Sequence, residues 1–164
     1  MLKVLTFIDN ALAMIEKPIM FIFGFALFYV MCHSVIARYF FHTSSPWMME
    51  LPRMFHIWMC FVGGSYLIRT NGHPAVGYFS DKIRDKGDCL QRRLYFTFTY
   101  LAMIIFVGST LYFAWQQIPL FMMQRTMYLR MPFIYVNGGA LLGLALMNIR
   151  LLIKIGYVWK GELR

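Results

Sequence analysis

The sequence predicts an all-α integral membrane protein with four transmembrane helices, an N-terminal amphipathic interfacial helix and both termini in the cytoplasm. Hydrophobic residues make up 60% of the 164 residues and charged residues 14%, whereas soluble domains average about 45–50% apolar and about 25% charged residues. The basic residues lie between long apolar runs, as membrane topology requires. A nucleic-acid-binding domain would instead collect them on one face of a soluble fold, so we expect no nucleic-acid partner.

Four apolar stretches have the length of a transmembrane helix. A hydrocarbon core about 30 Å thick needs about 20 helical residues, and the stretches cover residues 18–37, 47–68, 94–115 and 131–149. The first starts at Pro18, where a missing N–H is harmless in the first turn of a helix. We therefore predict that residues 1–164 form a single membrane domain.

The N-terminal 17 residues differ from the four spans because polar residues interrupt them. Their apolar residues recur at helical spacing: Leu5, Ile8, Leu12 and Ile15. This pattern is typical of an amphipathic helix that lies in the membrane interface. A cleaved signal peptide is the alternative, but acidic residues interrupt its apolar region and no A-x-A site follows. We predict that residues 1–17 stay on the protein as an interfacial helix.

The distribution of basic residues predicts the orientation. With the N-terminus inside, the cytoplasmic segments hold twelve Lys and Arg residues: Lys3, Lys17, Arg69, Lys82, Arg84, Lys86, Arg92, Arg93, Arg150, Lys154, Lys160 and Arg164. The opposite side holds four: Arg38, Arg53, Arg125 and Arg130. The positive-inside rule therefore places both termini in the cytoplasm. The long connection at residues 69–93 becomes a cytoplasmic loop, in which residues 75–86 could form an amphipathic surface helix.

Charged residues at the edge of a membrane span are candidate functional residues, because their burial is costly. Glu50 and Arg53 lie three positions apart, so their side chains can meet on one face of a helix, and Arg38 ends the preceding span. We predict a structural ion-pair cluster of these three residues at the outer helix ends. The alternative is a proton or cation relay, with Glu50 as the carrier acid of a small exporter.

Two histidines in adjacent spans, His33 and His56, raise a second alternative. Histidine is a haem ligand and a proton carrier, so a four-helix b-type cytochrome or a haem-bearing membrane anchor would use this pair. At 1.5 Å per residue, however, His33 lies about 6 Å and His56 about 13 Å from the outer ends of their helices. Because two haem ligands need similar depths, interhelical packing roles are favoured for both.

No motif for catalysis, cofactor binding or metal binding occurs in the sequence. P-loop, G-x-S-x-G, H-E-x-x-H and dinucleotide fingerprints are missing, and the three cysteines include no C-x-x-C pair. Gly139 and Gly143 form a G-x-x-x-G pattern that allows close helix approach. We therefore expect neither an enzyme active site nor a resident cofactor or metal.

The order of several residues resembles the small membrane subunit, DctQ-like, of tripartite ATP-independent periplasmic (TRAP) transporters. The resemblance is strongest over residues 35–80. It lies in the succession of Arg38-Tyr-Phe-Phe-His42, Trp47-Met-Met-Glu50-Leu51, Arg53, Trp58, Gly63-Gly64, Arg69 and Gly72-His73. The resemblance implies that Trp47, Gly63, Gly64, Arg69 and His73 are positions of the family motif.

The resemblance also implies the partners and the function. A soluble periplasmic protein would capture an organic acid, of the sialic acid or C4-dicarboxylate class, and deliver it to a large membrane subunit that carries the substrate and sodium sites. The present chain would be the scaffold beside that subunit, in contact with membrane lipids, in the bacterial inner membrane. Arg125 and Arg130 are candidate contacts of the periplasmic binding protein, because they lie on its side of the membrane.

Overall fold

The computed structural model describes residues 2–43, 46–70 and 89–160, with side-chain contacts for residues 6–43, 46–70 and 93–158. These residues form five helices: α1 (Leu2–Phe40), α2 (Trp47–Arg69), α3 (Cys89–Gln116), α4 (Ile118–Met123) and α5 (Phe133–Lys160). No strand occurs in this part of the chain, where a single antiparallel bridge joins Arg125 to Pro132. The predicted all-α fold is thereby confirmed for the described residues.

Three helices are long and apolar enough to cross a membrane. Among the described residues they cover Thr6–Phe40 in α1, Arg93–Gln116 in α3 and Phe133–Val158 in α5. Helix α2 has 23 residues, which at 1.5 Å per residue gives a length of about 35 Å. It corresponds to the predicted second span, but it is not among the three helices that are long and apolar enough to cross a membrane. Glu50 lies in its first turn.

Helix α1 continues without a break through the predicted boundary at Pro18. Residues 2–40 form one helix with Pro18 inside it, rather than an interfacial helix followed by a separate span. Proline inside a helix removes one hydrogen bond and costs about 3 kcal/mol, so other contacts must hold the N-terminal half in line. Glu16 supplies such contacts, because its buried carboxylate binds Ser65 of α2 and Arg150 of α5. Ala13, one turn before it, is also buried.

The helices pack in the order α1, α2, α5, α3. Helix α2 lies against α1 and α5, and α5 lies against α3 on its other side. A buried cluster fills the contacts of α3 with α5 and the end of α2: Ile68, Phe96, Tyr100, Val107, Leu144, Leu151 and Val158. Helices α1 and α3 therefore flank the central pair α2 and α5.

Glycines set the close contact between the two central helices. A Cβ atom built on Gly139 would lie 2.8 Å from the Cα of Trp58, and one on Gly143 would lie 2.5 Å from the carbonyl carbon of Phe61. Any side chain at these positions would push the helices apart. The G-x-x-x-G pattern of α5 thus serves packing within the chain, against α2.

Candidate functional site

Five charged residues meet at the end of the bundle formed by the first half of α1, the end of α2 and the second half of α5. We call Asp9, Glu16, Arg69, Arg150 and Lys154 the inner cluster, because the distribution of basic residues predicts the cytoplasm on this side. Glu16, Arg150 and Lys154 are buried, at 0%, 1% and 9% exposure. Charges so deeply buried require partners.

Arg150 links two acidic residues of α1. Its guanidinium donates to the Asp9 carboxylate, Nη1 to Oδ1 at 2.8 Å, and makes a two-pronged contact with Glu16 through Nε and Nη2. The Ser65 hydroxyl donates to the same Glu16 carboxylate at 2.7 Å. Side chains from α1, α2 and α5 are therefore joined through Glu16.

Arg69 ties the end of α2 to the same part of α1. Its Nε lies 3.0 Å from Oδ2 of Asp9, and its Nη2 donates to Oδ1 of Asn10 at 2.6 Å. Asp9 consequently bridges two arginines from different helices. Arg69, a position of the predicted family motif, holds the first helix in place.

A cavity of about 270 Å³ opens beside the inner cluster. Its wall includes three cationic side chains, Arg69, Arg150 and Lys154, and one carboxylate, that of Asp9. Polar side chains of Thr6, Asn10 and Tyr157 also line it. Ile153 is also part of the wall, so the cavity has a mixed polar and apolar lining with more basic than acidic side chains.

Sequence reasoning missed this cluster because residues 1–17 were assigned to the membrane surface, which left Glu50 as the acid of interest. The spacing of the charged residues in the sequence nevertheless indicates this cluster. Asp9 and Glu16 lie seven residues apart, two helical turns, and Arg150 and Lys154 lie four apart, so each pair shares one face of its helix. The matching spacing of acids and bases would have suggested their pairing.

At the opposite end, Glu50 binds backbone amides. Its two carboxylate oxygens accept N–H groups from Tyr128 and Leu129, each at 3.0 Å. This arrangement differs from the expected ion-pair cluster, since within the described residues neither Arg38 nor Arg53 lies within 4.0 Å of a carboxylate. The loop before α5 presents successive N–H groups to Glu50, and two such donors satisfy the carboxylate.

That loop, residues 124–132, is itself closed by hydrogen bonds, and we call it the outer loop because the predicted orientation places it outside. The amide of Thr126 donates to the carbonyl of Met131 at 2.9 Å, and the Met131 amide donates to the Thr126 hydroxyl at 3.2 Å. Arg130 has a positive φ of 51°. Both Arg125 and Arg130 are exposed, so the loop holds two arginines at the surface of the protein.

Trp58 connects three helices. Its ring stacks on Phe23 of α1 at 5.2 Å between centroids, and its Nε1 donates to the carbonyl of Tyr135 in α5 at 2.9 Å. Gly139 approaches the same tryptophan. Trp58 thus fixes α2 between its two neighbours.

Other positions of the predicted motif have packing roles. The ring of Trp47 lies 5.9 Å from that of His33, and Gly63 and Gly64 face Met20 and Met147. His73 lies outside the described residues, as does the predicted loop helix at 75–86.

The two histidines of the haem alternative have different neighbours. His33 contacts the aromatic rings of Tyr29 and Trp47, whereas His56 Nε2 lies 3.4 Å from the Cys60 thiol sulfur. In the described ranges, no group of three or more His, Cys, Asp or Glu residues is placed to hold a metal ion.

Comparison with known proteins identifies a family and a relative that this chain is similar to. Residues 27–161 match the family described as tripartite ATP-independent periplasmic transporters, DctQ component. The sialic acid TRAP transporter small permease protein SiaQ of Vibrio cholerae serotype O1 is 32% identical over 79 residues, which are 48% of this chain and 43% of that protein. The aligned segment therefore spans less than half the length of this relative.

Proposed function

The chain belongs to the DctQ component family of TRAP transporters, and from this premise we propose that it is a scaffold for the large membrane subunit. Membership of that family, together with three long apolar helices, makes it a multi-pass protein of the bacterial inner membrane. In the proposed transporter, the large subunit carries the sodium and substrate sites and this chain carries neither. The proposal follows from the family match over residues 27–161.

We propose that α2 is a fourth transmembrane helix. Its length suffices, and it lies between α1 and α5, each of which contains a span. Four crossings would place both termini on the side of the twelve basic residues, in agreement with the positive-inside rule.

The exposed surfaces of the flanking helices support a scaffold role. Large apolar side chains stand exposed along α1 and α3: Phe7, Met14, Phe21, Phe25, Phe28, Phe98, Ile105, Phe106, Tyr112 and Phe113. In a membrane such faces contact lipid or another apolar subunit. The chain therefore offers the large subunit a long apolar surface, which carries no charged residue over residues 21–28 of α1 and 98–113 of α3.

Polar contacts at both ends would keep this scaffold rigid while its partner moves. The inner cluster joins α1, α2 and α5 at one end, and Glu50 holds the outer loop on α2 at the other. A carrier that changes conformation would have to break these contacts in each cycle.

The outer loop is proposed as the contact with the periplasmic binding protein. Arg125 and Arg130 are exposed there, beside the exposed side chains of Met127 and Tyr128. Basic residues beside accessible apolar ones suit an acidic protein surface, because opposite charges guide association.

The substrate is proposed to be an organic acid of the sialic acid or C4-dicarboxylate class. The relative from Vibrio cholerae carries sialic acid in its name, and the match to it supports sialic acid within that class. The large subunit and the binding protein would decide between the two.

Affinity purification of the tagged chain from native membranes in mild detergent tests the scaffold function. We expect one large polytopic membrane protein in about equal amount, and a colourless preparation. An unrelated tagged inner-membrane protein is the control. A chain that arrives alone would overturn the scaffold function, and a haem absorption band would favour the cytochrome that uses His33 and His56.

A further inference from the structure

We infer that one transmembrane helix of the large membrane subunit packs along the exposed stripe of α2, and that this helix carries a carboxylate at the level of Arg53. The inference rests on the proposed function, in which α2 crosses the membrane beside a large subunit. It deepens that function by naming a face of the chain that the partner covers.

The exposed residues of α2 form a single stripe. All other residues of the helix are buried or half-buried, and the exposed ones are Met49, Arg53, His56, Cys60 and Leu67. Their successive steps are 4, 3, 4 and 7 residues, which is the spacing along one seam of a heptad repeat. Such a seam keeps facing a second helix that crosses at about 20°. The stripe therefore has the spacing that a partner helix requires.

The stripe is too polar to face lipid. At 1.5 Å per residue, Arg53 lies about 9 Å and His56 about 13 Å from the start of α2 at Trp47. His56 is therefore in the central third of a helix about 35 Å long, where its short side chain cannot reach the headgroups as a long arginine can. Ionisable side chains at such depth face protein or a water-filled cavity.

The exposed residues of the other helices show the contrast. Those of α5, over residues 133–158, are apolar or aromatic: Tyr135, Leu142, Ile149 and Leu152. In α3, the exposed hydroxyls of Ser109 and Thr110 both donate to the carbonyl of Phe106 in the same helix, so neither needs an outside partner. These faces suit lipid and protein alike, whereas the stripe of α2 suits only protein.

Two side chains of the stripe have polar groups left for this partner. No carboxylate of the described residues lies within 4.0 Å of Arg53. The His56 ring contacts the Cys60 thiol through Nε2 at 3.4 Å, which leaves Nδ1 to donate or to accept, according to the tautomer. A carboxylate level with Arg53, and a polar side chain about one turn further into the membrane, would satisfy both.

A second copy of this chain does not fit the stripe. Two copies inserted in the same orientation would set equal positions of the seam against each other, and Arg53 would then face Arg53. Like charges placed together across an interface are strongly unfavourable. The stripe therefore requires a helix of a different protein, and the large subunit is that protein in the proposed function.

Photo-crosslinking in native membranes tests this face. The tagged chain carries p-benzoylphenylalanine in place of Met49 or Leu67, which leaves the polar residues of the stripe intact. The controls carry it in place of Leu142 or Ile149, which are exposed on α5. After irradiation, the tagged chain is purified and its crosslinked partner is identified by mass spectrometry. We expect the large subunit to be crosslinked from positions 49 and 67 in preference to positions 142 and 149.

The carboxylate is tested with Arg53→Met. This variant should weaken the association of the two subunits about tenfold, as expected for the loss of a hydrogen bond between charged groups. The measurement is dissociation of the purified complex on dilution in detergent. Arg38→Met removes the same charge from the exposed last turn of α1, outside the stripe, and should associate normally. Unchanged association in Arg53→Met, or equal loss in Arg38→Met, would overturn the pairing.

The outcomes separate this face from the scaffold function. A large subunit that is recovered with the unmodified chain, but is crosslinked from α5 as strongly as from the stripe or more so, would overturn the face and leave the scaffold function standing. Failure to recover a large subunit with the unmodified chain would overturn both. Crosslinks from Met49 or Leu67 to a second copy of the chain would overturn the large subunit as the occupant.

Discussion

Arg150 is the single side chain on which the inner end of the bundle most depends. It is 1% exposed and holds both Asp9 and Glu16. Arg150→Met would leave two carboxylates short of their counter-charge, and breaking a buried pair from one side costs about 3–5 kcal/mol. We expect a loss of that size in the free energy of unfolding, measured by denaturant titration in micelles.

Arg53→Met is the matched control for Arg150→Met. Arg53 is exposed and has no ion pair within the described residues, so its removal should change the free energy by no more than about 0.5 kcal/mol. Similar losses for the two variants would contradict the role given to Arg150.

The hydrogen-bond and ion-pair partners of the charged residues were the part of the site that the sequence predicted least well. The cost of charge in a membrane correctly drew attention to Glu50, but its partners are backbone amides of the outer loop. A contact with backbone amides cannot be recognised from the types of the residues that donate them. Arg69 was singled out only through the family resemblance, and its partner Asp9 lies 60 residues earlier in a different helix.

At the scale of elements, the contact of α5 with α2 depends on two glycines. Gly139→Ala and Gly143→Ala would each place a Cβ within 3 Å of the α2 backbone, and such overpacking costs about 1–3 kcal/mol. We expect both variants to unfold at lower temperature in a thermal scan of the detergent-solubilised protein.

Gly138→Ala is the control for these two substitutions. Its Cβ would meet only the Trp58 ring at 3.5 Å, an ordinary contact, and alanine favours a helix over glycine by about 1 kcal/mol. This variant should therefore be neutral or more stable. Equal destabilisation by all three would show that the spacing of α2 and α5 is not set by Gly139 and Gly143.

The outer loop is the second element whose position can be tested, because Glu50 of α2 holds it through two backbone amides. Glu50→Gln removes the negative charge and one acceptor oxygen, so one of the two amide hydrogen bonds is weakened or lost. Hydrogen exchange at the Tyr128 and Leu129 amides should become several-fold faster, because exchange reports local opening. Arg53→Gln, one turn along α2, should leave both amides protected.

Transport assays of the complex with Glu50→Gln decide whether Glu50 anchors the outer loop or carries a proton or cation. Reduced complex yield with residual transport is expected for an anchor. Normal yield with no transport would contradict the anchoring role and support Glu50 as a proton or cation carrier.

The helices themselves were predictable, but only some of their ends were. Apolar runs located α2 to within one residue, at 47–68 predicted and Trp47–Arg69 observed. Helix α5 extends to Lys160, beyond the predicted end at 149, because membrane thickness limits the apolar stretch but not the helix. The boundary expected at Pro18 is missing for a tertiary reason, since the inner cluster holds both halves of α1 in line.

At the scale of the whole molecule, the number of crossings is the feature that gives every surface its side of the membrane. The four crossings proposed above would place the inner cluster in the cytoplasmic leaflet and the outer loop in the periplasm. If α2 did not cross, the end of the chain would lie outside, together with Lys154 and Lys160. The excess of twelve basic residues over four opposes that arrangement.

Reporter fusions and cysteine labelling test this topology. Alkaline phosphatase fused after Arg164 should be inactive, because it matures only where disulfides form, and a fluorescent protein at the same position should fluoresce. In a variant with Cys32, Cys60 and Cys89 replaced by serine, Met127→Cys should react with an impermeant maleimide in intact spheroplasts. Gly72→Cys should react only after permeabilisation. Active phosphatase after Arg164 would show that α2 does not cross, and the outer loop would then lose its proposed contact with the binding protein.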